Sequence, residues 1–263
     1  KEEIQTFFNL LAKFHLNMSQ VDVALNHNLN LAEFNVVYFK NALNQLKKHV
    51  PIQYIIGETE FYGLTFKVNS NVLIPRPETE ELVEWILNSV DKNKKLKILD
   101  IGTGSGCIAI SLAKNLPNAV VYALDVSTKA IEITKKNAET NNVQLGFLQQ
   151  NILASKELSE TYDVIVSNPP YVRELEKQEI EPNVLDNEPH LALFVKNEDP
   201  LIFYFKIAEL AKTGLNKNGL LFFEINQYLG KETVDLLKSK NFKSVELKKD
   251  FNQNNRMIKA TIL

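Results

Sequence analysis

The sequence predicts an α/β fold in which helices cover both faces of a mostly parallel sheet, preceded by a small helical domain. Two observations predict it. From residue 78 onward, short apolar runs typical of buried strands alternate with helical patterns, as a doubly wound sheet requires. The first 50 residues, by contrast, carry apolar residues at the three- and four-residue spacing of amphipathic helices. At 263 residues, the chain is long enough for one large core and a smaller accessory domain.

The part of the chain before the sheet divides into helices and a linker. Amphipathic helices are predicted over Ile4–Leu16, Ser19–Asn28 and Leu31–His49. The aromatic and β-branched segment Gln53–Val68 follows, and its two glycines predict a β-hairpin. We therefore expect a helical domain over residues 1–50, a hairpin linker over 51–74 and the sheet domain over 75–263.

The elements of the sheet domain follow one another in regular alternation. Predicted helices cover Glu78–Ser89, Ser105–Leu116, Thr128–Asn141, Pro200–Leu215 and Lys231–Lys240. Predicted strands cover Leu96–Ile101, Val120–Asp125, Gly146–Gln150, Tyr162–Ser167 and Leu220–Ile225. The last two strands, Phe242–Lys248 and Arg256–Leu263, have no helix between them, so we expect an antiparallel pair at one edge of the sheet.

Composition and charge exclude several classes of protein. The net charge is −2 and the pI is near 6.2, so the chain has no strongly basic face for a phosphate backbone. The single cysteine, Cys107, excludes an internal disulfide and is interpreted as a packing residue. The four histidines share no metal-ligand spacing, so no metal site is expected. Neither a membrane span nor a signal peptide is visible, and a cytoplasmic location is expected.

A glycine-rich turn joins the first predicted strand of the sheet domain to the helix after it. The turn is Gly102-Thr103-Gly104-Ser105-Gly106. Glycines let the backbone approach a ligand closely, and the N-terminus of the helix offers free N–H groups. The next strand ends about 20 residues later in Asp125, where an acid would reach a ribose diol. Strand, turn, helix and acid together predict a nucleotide-binding corner.

A second unusual turn, Asn168-Pro169-Pro170-Tyr171, ends the predicted strand Tyr162–Ser167. Because proline lacks an N–H group and has a fixed φ, the chain can neither continue the strand nor enter a helix at once. The asparagine side chain is thereby held at the carboxyl end of the strand, where open α/β sheets bind their ligands. An asparagine oxygen and a proline carbonyl can accept the two hydrogens of a planar NH2 group, and an aromatic ring can cover that group.

Together these features resemble the S-adenosylmethionine-dependent methyltransferases with a Rossmann-like fold. Asp100 through Gly106 matches the first cofactor motif of these enzymes, and Asp125 stands at their ribose-binding position. The Asn-Pro-Pro-Tyr turn matches the branch that methylates amino groups. The resemblance implies a seven-stranded sheet, mostly parallel, with an antiparallel C-terminal strand.

Within that class, the chain resembles the glutamine methyltransferases of peptide chain release factors, the HemK/PrmC family. The string Leu73–Glu84 (LIPRPETEELVE) carries most of this resemblance. Other matching stretches are Pro51–Gly57, Phe61–Gly63, Leu124–Ser127, Ser167–Val172, Glu188–Leu193 and Arg256–Ile258. The helical first 50 residues suit the N-terminal domain of the family. Two positions depart from the family pattern: Asn226 stands where glycine is common, and Asn151 stands where aspartate often contacts the adenine.

The resemblance implies transfer of a methyl group from S-adenosylmethionine to the side-chain nitrogen of the glutamine in the Gly-Gly-Gln motif of release factors. Asn168 and Pro169 would each accept one amide hydrogen, and Tyr171 would pack against the glutamine as the third catalytic residue. Pro170 would shape the substrate slot, and Arg76 belongs to the same substrate-binding set. An amide nitrogen is a poor nucleophile, so catalysis should depend on positioning, without a general base.

The resemblance also implies a set of cofactor-binding residues. The three glycines of the turn would admit the methionine end of the cofactor, Asp125 would bind its ribose, and Val126 would lie against its adenine. The full set is Gly102, Thr103, Gly104, Ser105, Gly106, Asp125, Val126, Asn151, Ile152 and Asn168.

Three alternatives remain open on the sequence. A DNA or RNA adenine-N6 methyltransferase uses the same Asn-Pro-Pro-Tyr turn on a chemically similar NH2 group. A nicotinamide oxidoreductase fits poorly, because the glycine spacing differs from that of dinucleotide enzymes. A non-enzymatic cofactor-binding module would give the Asn-Pro-Pro-Tyr turn no function. The expected partners are release factors, with no direct nucleic-acid binding, no membrane contact and a monomeric state.

Overall fold

The computed structural model describes residues 2–26 and 28–262. Three residues lie outside the described residues: Lys1 in the predicted helical domain, His27 in the predicted second helix and Leu263 at the end of the predicted last strand. Within the described residues, no helix has both the length and the apolar character needed to cross a membrane.

Helices and strands alternate along most of the chain. The helices are α1 (Glu2–Leu16), α2 (Gln20–Leu25), α3 (Glu33–Leu46), α4 (Ile52–Ile56), α5 (Pro77–Ser89), α6 (Cys107–Asn115), α7 (Thr128–Thr140), α8 (Pro182–Leu185), α9 (His190–Leu193), α10 (Ile202–Gly214) and α11 (Gly230–Ser239). The strands are β1 (Glu58–Phe61), β2 (Leu64–Lys67), β3 (Lys97–Ile101), β4 (Val120–Asp125), β5 (Gly146–Gln149), β6 (Tyr162–Ser167), β7 (Val172–Arg173), β8 (Phe194–Val195), β9 (Leu215–Glu224), β10 (Lys243–Lys249) and β11 (Asn255–Thr261).

The central sheet has seven strands in the order β10-β11-β9-β6-β3-β4-β5. Only β11 runs antiparallel to its neighbours, which confirms the predicted mostly parallel sheet with an antiparallel C-terminal strand. The register pairs Ile101 at the end of β3 with Leu124 of β4 on one side and with Ser167 of β6 on the other. The turns that follow these three strands therefore meet at one edge of the sheet.

Helices cover both faces of the sheet, as predicted. On one face α5 and α6 bury Leu82 and Ile110 against strand residues such as Val121. On the other face α10 buries Tyr204 and α11 buries Leu237, and both helices pack over the sheet. The strands are consequently apolar on both sides, which is why they appear in the sequence as continuous apolar runs.

The N-terminal helices build a small apolar cluster of their own, centred on Leu11, Ala42 and Ile52. Many of their other apolar side chains lie on the surface. Exposed examples are Ile4, Phe8, Phe14, Val21, Leu25, Phe34 and Val37. The first predicted helix agrees closely with α1, whereas α2 is shorter than predicted because Ser19 caps it from outside and it ends at Leu25.

The first residues of the predicted hairpin form helix α4 instead, and this part of the prediction is wrong. Pro51 precedes the helix, and Gly57 ends it in the left-handed region with φ of 84°. The Gly57 N–H donates to the Gln53 carbonyl at 2.8 Å. Aromatic and β-branched residues favour strands only weakly, so a helix stop of this kind can decide the conformation of a short segment.

The hairpin itself is β1 paired with β2, and it packs on the large domain. Phe61 and Phe66 are fully buried in the core beneath α5 and α6. Asn137 of α7 accepts the Lys67 N–H at 2.7 Å and donates to the Lys67 carbonyl at 3.0 Å. The Asn137 side chain thus makes the two backbone hydrogen bonds that a neighbouring strand would otherwise make with Lys67.

Between residues 172 and 199, where the sequence predicts no element, the chain folds into short pieces. Strands β7 and β8 form a separate two-stranded parallel sheet, and α8 and α9 lie between them along the chain. These pieces are too short for a periodic apolar pattern to indicate them. Strand β9 also begins earlier than predicted, at Leu215, because its first residue pairs with β6 across an irregularity in the register.

Candidate active site

A cavity of about 400 Å³ opens at the carboxyl edge of the sheet, where the turns after β3, β4 and β6 meet. Twelve of the residues singled out in the sequence line it: Arg76, Gly102, Thr103, Gly104, Ser105, Asp125, Val126, Asn151, Ile152, Asn168, Pro169 and Pro170. The glycine-rich turn and the Asn-Pro-Pro turn thus face one continuous space. Two other residues of the set, Gly106 and Tyr171, stand behind its wall.

The glycine-rich turn is shaped by backbone conformations that favour glycine. Gly102, Gly104 and Gly106 have φ values of 76°, 56° and 83°. A side chain at Gly104 would meet no atom within 4 Å, so open space lies beside this residue. A side chain at Gly106 would instead come within 2.6 Å of Thr134 on α7. Gly104 therefore opens the cavity, whereas Gly106, predicted to bind cofactor, allows α6 and α7 to pack.

Beneath the turn lies a buried acid, Asp100, which is 1% exposed. Its Oδ2 accepts the Thr103 hydroxyl at 2.7 Å and the Ala109 N–H at 3.3 Å. Its Oδ1 finds no hydrogen-bond partner among the described residues. Burial raises the pKa of Asp100 to about 7, and the two hydrogen bonds oppose this effect. Asp100 is thus an internal anchor of the turn, since it ties the turn to the first residues of α6.

Asp125 lies at the carboxyl end of β4 and faces the cavity. Its Oδ2 accepts the Gly104 N–H at 2.9 Å, and its Oδ1 accepts the Ser127 N–H at 2.9 Å. Burial raises the pKa of Asp125, and these backbone hydrogen bonds reduce the size of that increase. Each oxygen keeps a second lone pair, so Asp125 can still accept hydrogen bonds from a ligand.

Asn168 follows β6 directly, at the opposite side of the cavity mouth from Asp125. The preceding Ser167 fixes the strand end, because its hydroxyl donates to the Ile101 carbonyl at 2.7 Å. The Asn168 Nδ2 donates to the Thr79 hydroxyl of α5 at 3.4 Å. With its nitrogen turned toward α5, the Asn168 side chain has its oxygen left for another partner.

Tyr171 does not line the cavity, and its side chain is partly buried. Its hydroxyl donates to Glu224 Oε1 at 3.1 Å, and both burial and the Glu224 carboxylate raise its pKa. The ring also joins the apolar core under α10. The packing of Tyr171 against a substrate glutamine stays a prediction.

Cys107 packs against the core, as the sequence indicates, and it also lines the cavity. It borders the core under α5 and α6, and burial raises the pKa of its thiol to about 12. Within residues 2–26 and 28–262, no three His, Cys, Asp or Glu side chains gather into a possible metal site.

Comparison with known proteins identifies the family. Residues 79–190 match the model of the Methyltransferase small domain, and residues 3–57 match that of the PrmC N-terminal domain. The release factor glutamine methyltransferase of Flavobacterium psychrophilum is 57% identical over 263 residues, which cover 99% of this chain and 92% of that protein. This chain belongs to the release factor glutamine methyltransferase family. The member from Bacteroides thetaiotaomicron is 44% identical over 260 residues, covering 98% of this chain and 93% of that protein.

The fold of this release factor glutamine methyltransferase family member is shared with more distant enzymes. A methyltransferase from Pyrococcus furiosus superposes with a TM-score of 0.56 at 19% identity, covering 85% of this chain and 98% of that one. Family membership sets aside two of the alternatives left open by the sequence, the nicotinamide oxidoreductase and the non-enzymatic module.

The family motif around Arg76 and the segment around Glu188 are joined in the structure. Arg76 Nη2 donates to Glu188 Oε1 at 2.6 Å, and the Ile74 N–H donates to Glu188 Oε2 at 3.3 Å. Glu188 is 3% exposed and has Arg76 as its ion-pair partner. This pair fixes one wall of the cavity, between the start of α5 and the short helix α9.

Asn226, at a position where the resemblance predicts glycine, makes several side-chain hydrogen bonds. Its Nδ2 donates to the Tyr171 carbonyl at 3.0 Å and to Glu176 Oε2 at 2.9 Å. Its Oδ1 accepts the Tyr228 N–H at 2.9 Å. The asparagine therefore ties the Asn-Pro-Pro-Tyr turn to the loop after β9, a function that a glycine side chain cannot perform.

Sequence reasoning missed several residues that line the cavity. They include Ser70, Asn71, Val72, Thr79, Gln150, Phe203 and Ile207. Thr79 belongs to a recognised string, and its place in the first turn of α5 beside Arg76 was an available signal. Phe203 and Ile207 on α10 gave no such signal, because only the fold brings this helix to the sheet edge.

Proposed function

We propose that the protein transfers a methyl group from S-adenosylmethionine to the side-chain amide nitrogen of the glutamine in the Gly-Gly-Gln motif of peptide chain release factors. The observation that carries the proposal is the single cavity shared by the glycine-rich turn, Asp125 and the Asn168-Pro169-Pro170 turn. A methyl donor held by the first two features would lie next to an NH2 group held by the third. Membership of the release factor glutamine methyltransferases supports the choice of substrate.

The residues of the cavity fit S-adenosylmethionine, which supplies an electrophilic methyl group on a sulfonium sulfur. Gly104 leaves open space beside the turn, and Asp125 keeps acceptor capacity for a ribose diol. Val126 and Ile152 offer apolar surface for the adenine ring. Asn151 lies at the same wall, with its Oδ1 accepting the Leu153 N–H at 3.0 Å.

The chemistry on the substrate side depends on orientation. The lone pair of an amide nitrogen is delocalised into the carbonyl, so the nitrogen attacks only when it is held in line with the methyl group. Asn168 Oδ1 and the Pro169 carbonyl would each accept one amide hydrogen, which fixes both the position and the rotation of the NH2 group. The surplus proton leaves to water after transfer, so no general base is required.

The N-terminal helices would hold the release factor and take no part in the chemistry. We assign residues 1–50 to this helical domain, 51–74 to the linker and 75–263 to the methyltransferase domain. Exposed apolar side chains on α2 and α3, including Leu25 and Phe34, support a protein-binding surface. We also propose that the enzyme is a monomer, that it does not bind nucleic acid directly and that it works in the cytoplasm.

The experiment is a transfer assay with labelled S-adenosylmethionine and three candidate substrates: a release factor, its variant with alanine in place of the Gly-Gly-Gln glutamine, and DNA. We expect label in the first and none in the other two. Label in DNA that is lost as salt rises would favour the adenine-N6 alternative, because nucleic-acid binding weakens steeply with salt. Equal label in both release factor proteins would refute the proposed acceptor.

A further inference from the structure

Three elements meet behind Asn168 and form a hydrogen-bonded relay. Glu224 is the last residue of β9, and the parallel register that pairs Ser167 with Phe223 places it next to Asn168. Thr79 lies in the first turn of α5. The Thr79 hydroxyl donates to Glu224 Oε2 at 2.6 Å and stands 3.4 Å from Asn168 Nδ2. Thr79 and Glu224 are 2% and 1% exposed, so water does not replace these contacts.

The direction of each hydrogen bond in the relay is determined by the chemistry of Glu224. An ionised carboxylate can only accept hydrogen bonds, so the Thr79 hydroxyl gives it its one hydrogen. Thr79 then has only lone pairs to offer to Asn168. Only the NH2 end of the Asn168 amide can use these lone pairs, and Asn168 Oδ1 is consequently turned away from Thr79.

Several groups around Glu224 bear on its charge. The Tyr171 hydroxyl donates to Oε1 at 3.1 Å. Burial raises the pKa of Glu224, and the hydrogen bonds from Thr79 and Tyr171 and the guanidinium of Arg256 on β11 oppose this effect. Glu78 on α5 acts in the opposite sense, and the Tyr204 hydroxyl of α10 donates to the Glu224 backbone carbonyl at 3.2 Å. Thr79 and Tyr171 therefore occupy one carboxylate oxygen each, the arrangement expected of an ionised acid.

We propose that Thr79 and Glu224 are positioning residues that select the reactive one of the two flipped orientations of the Asn168 side-chain amide. This inference rests on the proposed function. The two ends of an asparagine amide have nearly the same shape but opposite hydrogen-bonding character. With Oδ1 toward the cavity, Asn168 accepts a hydrogen from the substrate NH2 group. After a flip it would present its own NH2 group to that of the substrate, and two donors would face each other.

The relay also explains why an acid without a described salt bridge lies buried at the end of β9. An ionised carboxylate in the interior is costly unless its oxygens are satisfied, and here two hydroxyl groups satisfy them. The negative charge in turn polarises the Thr79 hydroxyl, which makes the Thr79 oxygen a better acceptor for Asn168. The orientation of one catalytic amide is thus controlled by Glu224, which does not line the cavity, through Thr79, which does.

The experiment compares Thr79→Val, which keeps the shape and removes the hydroxyl, with Thr79→Ser, which keeps the hydroxyl. We expect Thr79→Val to lower kcat for release factor methylation by roughly 10-fold to 10²-fold, as misplacement of a reacting group does. Thr79→Ser should restore kcat to near the wild-type value. The affinity for S-adenosylmethionine and the KM for the release factor should change little in both variants. Thr233→Val is the matched control, since it removes a buried hydroxyl from the first turns of α11.

Combination with Asn168→Ala shows whether Thr79 acts through Asn168. If it does, Thr79→Val should cause no further loss of kcat in the Asn168→Ala background. An additional loss of equal size there, or full activity of Thr79→Val in the wild-type background, would overturn the proposal. Absence of glutamine methylation by the wild-type protein would instead refute the proposed function itself.

A second measurement covers the case in which Thr79→Val does not fold. Glu224→Gln preserves volume but can donate to Thr79, which frees the Thr79 hydrogen to point at Asn168. We expect a lower kcat in this variant at unchanged cofactor affinity. The side-chain NH2 signals of Asn168, identified in a ¹⁵N-labelled protein by their loss in Asn168→Ala, should also shift. Unchanged signals together with a wild-type kcat in Glu224→Gln would contradict the relay.

Discussion

Asn168 is held by a side-chain hydrogen bond to Thr79 at the end of β6, and the proposed chemistry depends on it more than on any other side chain. Asn168→Ala removes one of two acceptors for the substrate amide, so the nitrogen can rotate away from the methyl group. We expect turnover to fall by roughly 10²-fold or more. Cofactor affinity should change less, because the glycine-rich turn and Asp125 provide most of the cofactor contacts.

Asn168→Asp is the companion variant, since it keeps the shape and the acceptor while it adds charge and loses the donor to Thr79. It should retain at least as much activity as Asn168→Ala. Single-turnover methylation of a release factor, with cofactor binding measured separately, compares the two. Near-wild-type turnover in a folded Asn168→Ala protein would contradict the proposed role of the residue.

Asp100 should make the stability of the protein depend on pH. Burial raises its pKa from 3.8 to about 7, so the folded state holds the proton more tightly than the unfolded state does. Between these two values, the contribution of Asp100 to stability is therefore greatest at low pH and decreases as pH rises. The full change is on the order of 4 kcal/mol. Asp100→Asn removes it, so the stability difference should shift in favour of the variant as pH rises from about 4 to about 7.

Denaturant unfolding of both proteins across this pH range measures the shift, because the other titrating groups contribute equally to each. A stability difference that stays constant with pH would show that Asp100 remains ionised in the folded protein.

At the scale of elements, two glycines of the turn between β3 and α6 have different roles. Gly104 faces the cavity, and Gly106 lets α6 and α7 pack together. Alanine at either position is strained by positive φ, at a cost of about 1–2 kcal/mol. At Gly106 the added carbon would also meet Thr134 at 2.6 Å, which adds an overpacking cost of about 1–3 kcal/mol. Gly106→Ala should therefore have the lower Tm. Gly104→Ala should weaken cofactor binding more, because its side chain would project into open space beside the cavity.

Thermal melting and titration with S-adenosylmethionine test this pair of glycines. A lower Tm for Gly104→Ala than for Gly106→Ala would reverse the assignment.

The sequence predicts the central sheet well because each strand is apolar on both faces and is followed by a strong helix or turn signal. The same physics locates the two turns that form the cavity, since glycine and proline restrict the backbone locally. Helix α4 is missed because Gly57 overrides the strand preference of its neighbours. The relay from Glu224 through Thr79 to Asn168 is missed because it joins residues far apart in sequence, which only the sheet order brings together.

For the molecule as a whole, the proposed release-factor surface on α2 and α3 is distinct from the cavity proposed to perform the transfer. The double variant Leu25→Ser and Phe34→Ser changes two exposed side chains of α2 and α3. We expect the KM for the release factor to rise several-fold while kcat, cofactor affinity and Tm stay near wild-type values. Val120→Ser is the control, because Val120 is an exposed apolar residue at the opposite edge of the sheet from the cavity. An unchanged KM in the double variant would place the docking surface elsewhere.

The most direct test of the central claim is to locate the transferred methyl group by tandem mass spectrometry. A release factor is incubated with S-adenosylmethionine and either the wild-type protein or Asn168→Ala, and its peptides are then sequenced. The account predicts one added methyl group on the side-chain nitrogen of the Gly-Gly-Gln glutamine with the wild-type protein, and a strongly reduced amount with the variant. A methyl group on any other residue, or an equal yield from both proteins, would contradict it.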